Sequence, residues 1–173
     1  MNCFTALDSI CYHFVSKTSR FSEEYQHRTK QIENNSIKNF IRKWGSRHHK
    51  APKYNIAFRV ENCSIELLNI LEPWCDRIYS DAEWMKYITI EQPNTKFDLR
   101  KRCMSLTDSD RYDYDDIVVE INGNQFTQQD YQLIENLSAI IQDSGEVGTF
   151  CLDNLNITII TLEEHTNDLL YLV

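Results

Sequence analysis

Apolar positions recur at helical spacing over the first fifty residues and alternate more often after that. Phe4, Leu7, Ile10, Cys11 and Phe14 predict an amphipathic helix over Thr5–Lys17, broken by Ser16-Lys-Thr-Ser19. A longer helix is expected from Ser22 as N-cap, with Glu23 and Glu24 in its first turn and Tyr25, Ile32, Ile37, Phe40, Ile41 and Trp44 as its buried face. Arg42 and Lys43 fall in its last turn, Gly45 stands at the left-handed cap position, and Asn34-Asn35-Ser36 is a candidate break.

Beyond the basic loop Ser46–Lys53 the period changes. Tyr54, Ile56, Phe58 and Val60 alternate with Asn55, Ala57 and Arg59 and predict a strand. Ser64 is placed to cap a short helix through Leu71, stopped by Pro73. Ser80-Asp-Ala-Glu83 has the form of a capping box before Trp84 and Met85. Tyr87–Glu91 and Lys96–Arg102 read as two strands around Gln92-Pro-Asn94, the second an edge strand. Ile117–Ile121 reads as a strand and Asn122-Gly123 as a tight reversal. Thr127 begins a helix through Gln142, with Tyr131, Ile134, Leu137, Ile140 and Ile141 facing inward. Thr149–Leu152 and Asn156–Leu162 form an expected hairpin over Asp153-Asn154, and Leu169–Val173 a short apolar tail.

Helices first and mostly strands later predict an α+β fold: N-terminal helices packed on a largely antiparallel sheet, with a further helix between the C-terminal strands. At 173 residues, residues 1–173 read as a single domain, with a basic helical portion at 1–53 and an acidic α+β portion at 54–173. No apolar run is long enough to span a membrane, and Met1–Asp8 lacks a basic leader. Six scattered cysteines without a CxxC pair read as reduced thiols of a cytoplasmic protein.

Charge changes the picture most. Residues 1–53 carry +6, residues 54–111 carry −2 and residues 112–173 carry −12, giving the net −8. After Arg111 there is no Lys or Arg, and twelve Asp or Glu follow. The pivot is Asp108-Ser-Asp-Arg-Tyr-Asp-Tyr-Asp-Asp116. Read as a calcium loop from Asp108 it fails, because Tyr112, Asp113 and Val119 occupy positions 5, 6 and 12. A looser divalent site from Asp113, Asp115, Asp116 or Glu120 and a plain solvated loop are the alternatives to a recognition surface.

In that surface Asp108, Asp110, Asp113, Asp115, Asp116 and Glu120 supply charge for a basic partner, and Tyr112 and Tyr114 supply stiff amphipathic contact area. His48-His49, with His13, His27 and His165, shows no metal-ligand spacing, and no nucleophile elbow or phosphate-cradling glycine loop occurs. No metal or other cofactor is expected. The basic loop around Arg47 and Lys53 reads as a helix end pairing with the acidic half, and direct nucleic-acid binding is disfavoured by the acidic field. The function expected is an interaction protein of immunity or inhibitor type that neutralises a basic partner such as a nuclease toxin, in one form by mimicking nucleic acid. The alternative is an enzyme with a Cys/His or carboxylate site assembled from distant segments.

Overall fold

The computed structural model describes residues 23–47, 51–111 and 115–164. The expected helix over Thr5–Lys17, Ser22, His48, His49 and the Leu169–Val173 tail lie outside the described residues. Two compact units divide at Asn34 and Asn35. Described residues of the first unit belong to the N-terminal half of α1 (Glu23–Trp44), which begins with Glu23 and Glu24. All remaining elements belong to the second unit.

The second unit is α+β. Its strands are β1 (Ile56–Glu61), β2 (Arg77–Ser80), β3 (Cys103–Ser105), β4 (Ile117–Asn122), β5 (Gly148–Leu152) and β6 (Leu155–Ile159), in the order β3-β2-β1-β4-β6-β5. The sheet is mixed rather than largely antiparallel. β1 runs parallel to β2 and to β4, and β2 parallel to β3, while β6 is antiparallel to β4 and β5. The parallel half was hidden because β2 and β3 are four and three residues long, too short for a period to register.

Helices α2 (Ile65–Leu71), α3 (Trp84–Glu91), α4 (Leu99–Arg102), α5 (Gln128–Glu135) and α6 (Leu137–Ser144) complete the unit. Of the residues read as strands, Tyr87–Glu91 falls in α3 and Leu99–Arg102 forms α4, with Asp98 as its N-cap. Their β-branched and aromatic content is overridden by packing, since Tyr87, Ile88 and Glu91 face inward one helical turn apart. Ser64 caps α2 by accepting from the Leu67 N–H, as its position implies. Ser80 caps nothing; it ends β2, and Glu83 precedes α3 without a side-chain cap. The Thr127–Asp130 capping box opens α5, Asn136 separates it from α6, and Gly145 ends α6 at φ 61°.

One sheet face is apolar. Phe58, Ile78, Ile117 and Leu155 point to it, and Leu68, Leu71, Leu99, Leu137 and Ile141 of the helices and their turns close over it. α1 joins the body differently from its expected face. Within the second unit Ile41 is buried, but Ile37 and Phe40 are exposed. What faces the body is a polar stripe at helical spacing. Asn35 donates to Asn94 Oδ1 (3.0 Å), Asn39 to the Asn94 carbonyl (2.9 Å) and Lys38 to Asn69 (2.6 Å), while Arg42 is fully buried. The period was legible and Ile41 lies inward as expected, but polar residues share that contact.

Candidate functional site

Arg42 leads into a buried ionic cluster. Glu72, in the turn Glu72–Trp74 after α2, accepts from Arg42 Nη2 (2.6 Å), Arg102 Nε (2.6 Å) and the Tyr87 hydroxyl (2.9 Å). Glu91 accepts from Arg42 Nη2 at 2.8 Å, and Lys53 pairs with Asp76 at 3.0 Å. Burial works to raise the Glu72 carboxyl, but Arg102 and Arg42 outweigh it and hold its pKa down to about 2. For Lys53 burial wins over Asp76, and its ammonium titrates below the usual range. Three buried cations, joined at the rim by Lys38 at 3.3 Å from Glu91, meet three carboxylates, so the cluster adds nothing to the negative charge of the chain. Its closure from solvent makes it a structural device, and the −8 of the chain resides on other groups.

The opposite sheet face is polar. One in-register row crosses all six strands: Met104, Tyr79, Arg59, Glu120, Asn156 and Cys151. Asn156 Nδ2 donates to Glu120 at 2.9 Å, and the Cys151 thiol to Asn156 Oδ1 at 3.4 Å. The β3–β4 connection lies on this face and carries the acidic stretch. Its 3-10 turn Leu106–Arg111, which contains Asp108 and Asp110, packs on β1, β2 and β3. Asp115 then turns inward, accepting from Arg77 Nη1 (2.7 Å) and the Tyr79 hydroxyl (3.2 Å). Burial, then Asp115, push the Tyr79 phenol upward.

Asp115 therefore fastens the connection to the sheet, with its carboxylate already engaged inside the fold. Asp116 is half-buried, and its carbonyl accepts from the Ile160 N–H at 2.8 Å. Glu120 is exposed. Tyr112, Asp113 and Tyr114 lie outside the described residues. Among the described residues no cluster of His, Cys, Asp and Glu is arranged to hold a metal.

At the carboxyl ends of β1 and β4 the polar face opens into a cleft of about 410 Å³, lined by Arg59, Glu61, Leu106, Glu120, Asn122 and Asn154. The position is a topological switch point: the chain builds outward from β1 through β2 to β3, then returns to place β4 on the other side of β1. Ligands of open parallel sheets sit there. The rim is fixed by backbone bonds. Asp81 accepts from the N–H of Asn62 and of Cys63, both at 2.8 Å, and the Gly123 N–H donates to the Glu61 carbonyl at 2.8 Å. Asn154 is tied to buried Asp130, which accepts from its N–H (3.1 Å) and Nδ2 (3.0 Å). Burial would raise the Asp130 carboxyl, but bonds from Asn154 and Thr127 keep it below the usual carboxylate range.

Sequence reasoning found Glu120 but missed Glu61, Arg59 and Asn122, because only the parallel register brings them beside it. The signal available was the charged residue inside each strand pattern, Arg59 in β1 and Glu120 in β4. The basic loop is partly spent within the fold: Arg47 pairs with Glu135 (2.8 Å) and donates to the Tyr131 hydroxyl (3.0 Å). Cys63, Cys75 and Cys103 are buried, and burial raises all three thiols, Cys63 to about 12, which is opposite to what a nucleophile needs. Among the described residues no helix is long and apolar enough to cross a membrane. Compared with protein-family models, curated proteins and solved structures, the chain matches none.

Proposed function

We propose that this is an interaction protein of immunity or inhibitor type, whose acidic, tyrosine-bearing C-terminal half binds and neutralises a basic protein partner. The observation that carries the reading is the cleft beside the acidic connection. Two exposed carboxylates, Glu61 and Glu120, meet there with a single guanidinium, Arg59, and with the side-chain amides of Asn122 and Asn154. An arginine or lysine of the partner enters this cleft, and Asp108, Asp110, Asp113 and Asp116 steer its approach. Tyr112 and Tyr114 give the surface its selectivity. A nuclease toxin is the partner class that such charge suits, since its own site is built for phosphates. We place the protein in the cytoplasm on the same reading, because its buried cysteines stand as single thiols.

The test is affinity capture from native lysate at low and high salt, with wild-type and E61Q/E120Q baits. The reading expects a basic protein on the wild-type bait at low salt, lost at high salt and depleted on the variant. Equal capture by both baits contradicts it.

The position of the cleft at the switch point favours a second reading, an enzyme with a carboxylate site assembled from distant segments. Under that reading, incubation with a cellular metabolite extract consumes one compound with the wild type and none with E61Q/E120Q.

A further inference from the structure

β5 is an open edge of the sheet. Among the described residues no strand pairs with its outer side, and the order of strands ends there. The two-residue turn at Asp153-Asn154 fixes which backbone groups are free. Leu152 and Leu155 flank it, so Leu152, Phe150 and Gly148 exchange hydrogen bonds with β6, and Thr149 and Cys151 direct their N–H and C=O outward. The close approach of Thr149 Oγ1 to Thr158 Oγ1, 3.2 Å, is that of a pair without ladder bonds.

Edges of this kind are normally blunted by proline, lysine, a bulge or very short length. The opposite edge, β3, is three residues long. β5 has five, Gly-Thr-Phe-Cys-Leu, and none of those devices. Just before it Val147 falls, in the continued register, opposite Ile160, and both are 61% exposed. Charge brackets the strand: Glu146 precedes it and Asp153 follows it, both exposed, in the stretch after Arg111 that holds no Lys or Arg.

We propose that β5 receives an extended, lysine- or arginine-bearing segment of the partner as an added strand. Main-chain bonds from Thr149 and Cys151 supply register, Val147 and Ile160 supply apolar contact, and Glu146 and Asp153 attract the cations at the two ends. A second copy of this chain is the poorer occupant, because it would bring together two edges that are each flanked by acids and carry no Lys or Arg. The inference rests on the proposed binding of a basic partner and adds the surface and the mode.

The probe is a blocked peptide of alternating lysine and valine, as long as β5, beside the same peptide N-methylated at alternate positions. Methylation leaves charge and side chains unchanged and removes the bonds a strand needs. In amide-resolved NMR titrations of the full chain, the unmodified peptide shifts Val147, Thr149 and Cys151, and methylation weakens binding about tenfold or more. Thr149→Pro, which deletes an outward N–H, weakens the unmodified peptide similarly while leaving the fold intact by thermal melting. Equal binding of both peptides, with shifts confined to Glu61, Glu120 and Asn122, overturns strand addition and leaves the acidic binding reading standing. No binding of either peptide at low salt overturns both. Slow exchange of the Thr149 and Cys151 amides in the free protein shows the edge already covered, by another segment of the chain or a second copy, and also overturns the inference.

Discussion

Replacing Glu72 by Gln keeps the shape of the side chain and removes the one carboxylate shared by Arg42 and Arg102. Arg42 retains Glu91 at 2.8 Å, but Arg102 is left with carbonyl partners, the Glu72 oxygen at 2.9 Å and that of Cys75. Breaking a buried pair by removing one partner costs about 3–5 kcal/mol, because the remaining charge stays desolvated. A domain holds about 5–15 kcal/mol in all, so the variant sits near the edge of stability. The acid dependence supplies an independent check. Glu72 has a folded pKa of about 2 against an ordinary 4.5, so its contribution is fully present above pH 4.5 and is lost as pH falls toward 2. That difference corresponds to about 3 kcal/mol. Urea unfolding followed by tryptophan fluorescence, repeated through this pH range, reads both effects. The variant loses several kcal/mol at neutral pH, and its stability falls less steeply than the wild type's on acidification. A loss under about 1 kcal/mol, or an unchanged acid limb, refutes the claim that Glu72 organises the cluster.

Other substitutions address the cleft and the thiols. A Cβ at residue 123 collides with the Asn62 carbonyl oxygen, which is backbone and cannot swing away, so Gly123→Ala costs about 1–3 kcal/mol in urea unfolding. Asp81→Ala strands the Asn62 and Cys63 N–H groups and costs about 1–3 kcal/mol by the same measurement, with faster amide exchange at Cys63. In a Cys3→Ser, Cys11→Ser background, a disulfide reagent at mildly alkaline pH modifies Cys151 fast and Cys63, Cys75 and Cys103 only on unfolding. Several fast thiols contradict the burial of those three.

Local patterns carried much of the fold. The Ser64 and Thr127 caps, the Ile117 strand, the Asp153-Asn154 hairpin and the Gly45 and Gly145 helix ends were legible because each depends on neighbours in sequence. The parallel pairing was not, since β1 meets β2 and β4 only after helical or looped crossovers. Arg42 was read as a helix-end charge and Arg102 as part of an edge strand, and nothing local distinguishes a charge that finds its counter-ion thirty residues away. The acidic stretch was visible as charge, but its division of labour was not. Asp115 belongs to the sheet and is the wrong residue to alter in a binding test, because Asp115→Asn weakens its pairing with Arg77 and Tyr79 as well as changing the surface. Glu61, fifty-nine residues earlier than Glu120, is the better choice.

The most direct measurement is the association rate of the captured basic partner as a function of ionic strength, for wild type and for E61Q/E120Q. The acidic face and its cleft predict an on-rate that falls about tenfold or more from low to physiological salt, with a lower starting value and a flatter slope in the variant. Superimposable salt profiles for the two proteins would contradict a cation-binding role for the cleft.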